Sequence, residues 1–254
     1  MGSDYQKIVF ELVDVCHRIY DRGFVTATDG NISARLPGGN ILATPTSLNK
    51  GMVRADDFVE VDPEGSLVSG LNRPSSELLM HLYIYRQRPD VHAIVHAHPP
   101  YATGFATARI PLNECLFPEV IVGLGAIPLA PYGTPSTSEV VESIEPFVPN
   151  ADAILLANHG VVTYGRDLLN AYFKMEKVEH AAHITFVARL LGGEKPLSEA
   201  DIEKLRKIST ESYGKDFGEK LACIPSKEER DGSALYTEEE LRAIVREVIE
   251  RLGT

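Results

Sequence analysis

Basic residues are in deficit in this 254-residue chain: 25 Lys and Arg stand against 36 Asp and Glu, a formal charge of −11. A general nucleic-acid binder holds phosphate backbones with surplus Lys and Arg, so the balance argues against that class. It does not exclude a local pocket for a small anion. No apolar run approaches the ~20 residues needed to cross a bilayer. The opening Met-Gly-Ser-Asp-Tyr-Gln lacks the apolar core of a signal peptide, and Gln6 breaks the myristoylation pattern. Cys16, Cys115 and Cys223 are few, odd in number and far apart, which argues against a secreted disulfide framework. Repeats and low-complexity tracts are also lacking. A soluble cytoplasmic protein is the expectation.

What is present suits a globular protein with a sizeable core: 44% of residues are hydrophobic and 24% charged. The length allows one large domain or two small ones. Helical spacing covers Tyr5 to Tyr20, with Gly23 as a stop. Thr28-Asp29-Gly30-Asn31 is a turn into a short strand, and Pro37-Gly38-Gly39-Asn40 a hairpin loop. Strands are expected at Ile41–Thr44, Phe58–Val61, Ala93–His98, Val120–Val122 and Ala153–Ala157. Helices are expected after Pro74-Ser75-Ser76, around Ser138–Phe147, from about Asp167 to Leu191, and from the capping box at Ser198. This interleaving without regular alternation suggests an α/β or α+β domain.

The last thirty residues differ. Residues 225–236 are polar and read as a linker behind a domain of residues 1–224. Thr237-Glu238-Glu239-Glu240 then caps an amphipathic helix over 237–254, with Leu241, Ile244, Val245, Val248, Ile249 and Leu252 on one stripe.

Eight histidines are present, and two stand out. His96 and His98 sit at i and i+2 of a strand, so both rings project from one face, and Pro99-Pro100 ends that strand at a sheet rim. Two histidines on a strand are a common start to a zinc site, which needs a further protein ligand. His159, in Asn158-His159-Gly160 at the end of another apolar strand, is the candidate third. His17, His81, His92, His180 and His183 have no convergent partners and read as structural or exposed. Pro74-Ser75-Ser76-Glu77 offers hydroxyls and free N–H groups at a helix start, the ingredients of an anion site. Thr28-Asp29-Gly30-Asn31 and Thr44-Pro45-Thr46-Ser47 offer similar groups, and three such loops together can cradle a phosphate.

Thr28-Asp29-Gly30-Asn31-Ile32-Ser33, Thr44-Pro45-Thr46-Ser47, Pro74-Ser75-Ser76-Glu77, His96-Ala97-His98-Pro99 and Asn158-His159-Gly160 occur in the order and approximate spacing of the class II aldolase/adducin family. Over about residues 5–215 the chain resembles the sugar-phosphate aldolases of that family. The resemblance implies a class II aldolase-like α/β fold, a central mostly antiparallel sheet flanked by helices, as a single domain followed here by the C-terminal tail helix. It implies a homotetramer with active sites at subunit interfaces. By the same match His96, His98 and His159 hold Zn²⁺, and Glu77 is the acid/base carboxylate. Thr28, Gly30, Asn31, Thr46, Ser47, Ser75 and Ser76 fall on the phosphate cradle.

The activity so implied is cleavage of a ketose 1-phosphate, L-fuculose 1-phosphate or a similar deoxy-ketose 1-phosphate, to dihydroxyacetone phosphate and an aldehyde such as lactaldehyde. Family aldolases also bring a tyrosine from a neighbouring subunit to protonate the aldehyde oxygen. Gap-free counting back from Ile127–Tyr132 puts that position on Phe117, beside Glu119, which takes the role instead. Tyr213-Gly214 matches the family's C-terminal tyrosine. Rival readings are a pentulose-phosphate 4-epimerase, which typically carries Asp where Glu77 stands, a methylthio-pentulose phosphate dehydratase, and an adducin-like structural protein, which lacks the zinc histidines. The tail helix resembles an encapsulation peptide that docks cargo inside a bacterial microcompartment shell; the plainer alternative is a terminal helix packed on the oligomer.

Overall fold

In the computed structural model, residues 2–214 and Cys223 are described. The chain runs α1 (Gly2–Asp21), β1 (Asn31–Arg35), β2 (Ile41–Ala43), β3 (Val59–Val61), β4 (Leu67–Ser69), α2 (Leu78–Gln87), β5 (Ala93–Ala97) and α3 (Pro100–Thr107). It continues through α4 (Pro118–Gly123), β6 (Leu129–Ala130), α5 (Ser138–Ile144), β7 (Ala153–Leu156), β8 (Gly160–Gly165), α6 (Leu168–Leu190) and α7 (Glu199–Tyr213). Two 3-10 turns, Lys50–Met52 and Ala55–Asp57, join β2 to β3. The linker and tail helix expected over 225–254 lie outside the described residues. Among the described residues no helix is long and apolar enough to cross a membrane.

The eight strands form one sheet in the order β4-β3-β2-β1-β5-β8-β7-β6. Every neighbouring pair is antiparallel except β6 with β7. The expected α/β class II aldolase fold, with its mostly antiparallel sheet and flanking helices, is the one observed. Alternation of side chains sorts each strand between two cores. Ala93, Val95 and Ala97 of β5 join Ile32 and Ala34 of β1 in a core covered by α1, α3 and α6. Ile94 of β5 joins Val162 and Tyr164 of β8 in a second core beneath α2 and α5. Because parity is fixed, His96, Asn31 and Ser33 must face the α2 side. That is what brings polar residues of two strands to one helix start.

Several boundaries move from the expectation. Val120–Val122 is helical, within α4. Pro118 takes the first helical position, where its fixed φ suits a helix and its missing N–H costs nothing, and Val120 and Ile121 are buried consecutively. Three apolar residues fit either period, so the run was not decisive. Helix α5 gives up residues 145–147 of its expected length at Pro146, which has no N–H to continue it. Helix α2 begins at Leu78, so Ser75 and Ser76 form the preceding turn and Glu77 sits at the cap position.

Cys115 and Cys223, 108 positions apart in sequence, are joined by a disulfide with Cα atoms 5.1 Å apart. This corrects the reading of the cysteines as mutually remote. Helix α7 packs on α4, and Cys115, Ile121, Ile202 and Cys223 share a small buried cluster. Cys16 is free and buried.

Candidate active site

Strand pairing sets the histidines. Asn31 lies opposite His96 across β1 and β5, and His96 lies opposite Val162 across β5 and β8. His98 follows one residue beyond β5, and His159 occupies the tight connection between β7 and β8, where Asn158 has φ +54°. A Cβ on Gly160 would lie about 2.5 Å from the Ala97 carbonyl oxygen and from His98 Cδ2. Only glycine lets that connection approach the end of β5.

Ring centroids of His96, His98 and His159 are 4.6–5.1 Å apart. One nitrogen from each ring lies within 4.8 Å of the others, and Nε2 of His98 approaches Nε2 of His96 at 3.2 Å. Three nitrogens bound at ~2.0–2.1 Å in tetrahedral geometry would sit about 3.3 Å apart, so a small contraction of this triad accepts a first-row divalent metal. The donor chemistry also fits. Nδ1 of His96 donates to the Val161 carbonyl at 2.9 Å, which leaves the Nε2 lone pair inward. Burial pushes the His96 pKa well below its ordinary value and lowers that of His98 too, so both rings are neutral at neutral pH. Metal ligation requires neutral imidazoles. Nδ1 of His159 is buried without a hydrogen-bond partner.

Glu77 completes the cluster. Its Oε1 is 3.1 Å from Nε2 of His159, and its Oε2 is 3.5 Å from Nε2 of His96. Asn31 donates to Oε2 at 2.8 Å. Burial pushes the Glu77 carboxyl up, but the hydrogen bond from His159 and the surrounding histidine cluster outweigh it and hold the group well below the usual carboxylate range. The carboxylate is therefore ionised, fixed by three neighbours and aimed into the cleft.

That cleft, about 240 Å³, is lined by Thr28, Asp29, Gly30, Asn31, Pro45, Thr46, Ser47, Ser75, Ser76, Glu77, His98, Pro135, Ser136 and His159. All seven phosphate-cradle candidates from the sequence meet there. Gly30 has φ +71°, and a Cβ would press on the His96 carbonyl oxygen and Val25. Ser136, from the loop after β6, was missed: its Oγ donates to Oγ of Ser76 at 2.8 Å. Only the small turn-forming residues around Pro135 hinted at a loop, with nothing to place it against Ser76.

Glu119 and Tyr213 do not join the cleft. Glu119 is in the first turn of α4, where its carbonyl accepts from Lys177, and Tyr213 ends α7 with its side chain 65% exposed. Neither lies among the lining residues. Within one chain their helices pack on each other, away from the β5–β8 rim, so this chain's own cleft receives no proton donor from either.

Three histidines, a largely buried carboxylate and hydroxyl-rich loops thus gather at one rim of a mostly antiparallel sheet, in an arrangement that could hold a metal ion. The chain belongs to the family described as the class II aldolase and adducin N-terminal domain, whose model matches residues 10–186. It is 36% identical over 179 residues to an L-fuculose phosphate aldolase of Methanococcus maripaludis, covering 70% of this chain and 96% of that one. It is 33% identical over 215 residues to a 3-oxo-tetronate 4-phosphate decarboxylase of Escherichia coli K12, covering 80% and 99%. Among solved structures, an L-fuculose 1-phosphate aldolase matches with TM-score 0.73 at 31% identity, covering 79% and 95%. YgbL of Escherichia coli matches with TM-score 0.75 at 31% identity, covering 80% and 100%.

Proposed function

We propose that the protein is a zinc-dependent aldolase that cleaves a ketose 1-phosphate, L-fuculose 1-phosphate or a similar deoxy-ketose 1-phosphate, to dihydroxyacetone phosphate and an aldehyde. The observation that carries this reading is the Glu77 carboxylate held against three histidines in the cleft that gathers the hydroxyl-rich loops. His96, His98 and His159 would hold the metal, which supplies Lewis-acid stabilisation of negative charge developing on substrate oxygens. The loops at 28–31, 46–47 and 75–76 bind the phosphate through N–H groups and hydroxyls. Glu77 exchanges the proton at the carbon that becomes the hydroxymethyl of dihydroxyacetone phosphate. Asn31 keeps the carboxylate turned toward that carbon.

The decarboxylase relatives supply a second reading, loss of carbon dioxide from a 3-oxo-acid phosphate. The cleft favours the aldolase: no Lys or Arg is among its lining residues, whereas Asp29 and Glu77 are. An additional substrate carboxylate would meet like charge there. A coupled assay for dihydroxyacetone phosphate over a panel of ketose 1-phosphates, beside carbon dioxide release from 3-oxo-tetronate 4-phosphate, separates the two. Carbon dioxide release alone sinks the aldolase reading.

The same proposal takes the working assembly as a homotetramer. Exposed Phe10, Phe173, Phe186, Leu190 and Leu191 on or beside α1 and α6 support burial against further copies. A monomeric mass in solution counts against it. Residues 237–254 are proposed to dock in a microcompartment shell; diffuse fluorescence of a 225–254 fusion in a shell-producing host overturns that.

A further inference from the structure

Lys50 is almost fully buried, with 1% of its surface exposed, and no carboxylate lies within 4 Å of its ammonium among the described residues. Its Nζ donates to two backbone carbonyls, Thr28 at 3.0 Å and Leu48 at 2.8 Å. Those carbonyls belong to two of the hydroxyl-rich loops at the cleft. Next to it, Asn49 donates to the Ala27 carbonyl at 2.8 Å and accepts from Gly51 N–H. Both loops are strained at non-glycine positions: Ala27 has φ +46° and Ser47 φ +57°. Such backbone persists only where surrounding contacts over-determine it. Lys50 and Asn49 supply those contacts from beneath.

A buried ammonium without an opposite charge is costly in a low-dielectric interior, and proteins seldom keep one without a use. The cleft above it has the opposite shortage. Its walls carry the acids Asp29 and Glu77 and no Lys or Arg, although a phosphate brings up to two negative charges. Apart from the metal proposed at the histidines, amides and hydroxyls alone would hold that dianion beside two like charges. One positive charge immediately behind the loops redresses the balance, and its field is weakly screened because no water separates it from them. Burial lowers the ammonium's pKa, while Cys16, Asp29 and Glu77 act to raise it; a bound phosphate would add to their side.

We propose that Lys50 is the cation of the phosphate subsite, a positioning residue that ties the 28–30 and 46–48 loops together and makes the cleft selective for a phosphate dianion. This rests on reading the cleft as a phosphate site, and the test separates the two. Inorganic phosphate is titrated calorimetrically, at constant ionic strength, into the full-length wild-type protein, Lys50→Met and Lys50→Arg. We expect wild-type binding, weakening of about tenfold or more in Lys50→Met, and substantial recovery in Lys50→Arg, which restores the charge. The KM for the ketose phosphate should rise with the phosphate affinity loss while kcat changes less. Folded Lys50→Met with wild-type phosphate affinity overturns the role of Lys50 and leaves the phosphate site standing. Equal weakening in both variants overturns the role of its charge. No binding by wild type overturns the phosphate reading and the inference with it. Should Lys50→Met not fold, the ¹⁵Nζ resonance of Lys50 in wild type decides: movement on adding phosphate but not chloride supports the assignment, and no movement overturns it.

Discussion

Asn31 on β1 donates to Glu77 at the start of α2 across 2.8 Å, and this is the first of three rungs between the same two elements. Ser33 bonds both Nδ1 of His81 at 2.7 Å and the Tyr85 hydroxyl at 2.9 Å, and Arg35 donates to the Tyr85 carbonyl at 2.6 Å. Residues 31, 33 and 35 thus meet 77, 81 and 85. Two residues of strand rise ~6.7 Å and four of helix ~6 Å, so the two periods stay in step over three rungs. The ladder fixes where α2 begins, and so where the Glu77 carboxylate points. Burial pushes the Tyr85 hydroxyl pKa up, so that group stays protonated.

Asn31→Ala removes the rung nearest the chemistry. Displacement of a reacting group by about 1 Å can cost roughly 10²-fold, so kcat should fall ten- to a hundredfold with the fold intact. Glu77→Gln should fall further, by roughly 10²–10⁴, because it loses the proton acceptor itself. Steady-state kinetics on both variants checks this, and an Asn31→Ala kcat within twofold of wild type would remove Asn31 from the positioning role.

His81 ties stability to pH. It is fully buried, and burial lowers its pKa from 6.5 to about 4, with Glu77 acting weakly the other way. The unfolded chain therefore binds a proton here that the folded chain refuses. Its contribution is complete above pH 6.5, falls as pH drops through the interval from 6.5 to 4, and is lost below. The shift corresponds to at most about 3 kcal/mol. Urea melts of wild type and His81→Gln across that interval should show a shallower acid limb in the variant. Parallel limbs would mean that His81 is not the group responsible.

Metal binding can be tested apart from turnover. His159→Ala should reduce bound metal well below one per chain, read by elemental analysis. Gly160→Ala should do the same without touching a ligand, since the added methyl presses on His98 and the Ala97 carbonyl. Melting of wild type should also drop on chelation, as a ligand bound only to the folded state stabilises by mass action. Full metal occupancy in Gly160→Ala would show that the β7–β8 connection has room to adjust.

Much of this site was legible because its signals are local. His96 and His98 follow from strand parity and a Pro-Pro stop, and the hydroxyl loops follow from turn chemistry. What escaped depends on long-range packing. Nothing local marks Lys50 as buried; the 27–30 loop and α1 close on the 48–52 segment and bury it. Ser136 meets Ser76 across 60 residues, and Cys115 meets Cys223 across 108. Strand β4 (Leu67–Ser69) carries no burial pattern because all three of its residues are exposed. The reading of residues 120–122 of helix α4 as a strand has a different cause: three apolar residues cannot distinguish a two-residue from a 3.6-residue period.

The end of the sheet opposite the histidines carries a test of stability without chemistry. Asp152, only 13% exposed, accepts from Lys174 at 2.8 Å and from Arg88 at 2.9 Å. Burial raises its pKa, but Lys174 and Arg88 outweigh that and leave it lowered, so the carboxylate is ionised. Arg88 keeps other acceptors, Asp90 and the carbonyls of Val148 and Ala151, whereas Lys174 keeps the Tyr164 carbonyl. Asp152→Asn should deprive Lys174 and Arg88 of their shared carboxylate and destabilise by roughly 3–5 kcal/mol. At ~2–4 °C per kcal/mol for a chain of this size, the melting temperature should fall by roughly 6–20 °C. Lys174→Met added to Asp152→Asn should recover part of the loss, the non-additivity of groups in contact. Metal content and KM should stay at wild-type values, because Ala93 pairs with Gly165 at this end and Ala97 with Val161 at the other, four residues or about 14 Å along the strand. Loss of metal in Asp152→Asn would mean that the two ends of β5 and β8 are coupled.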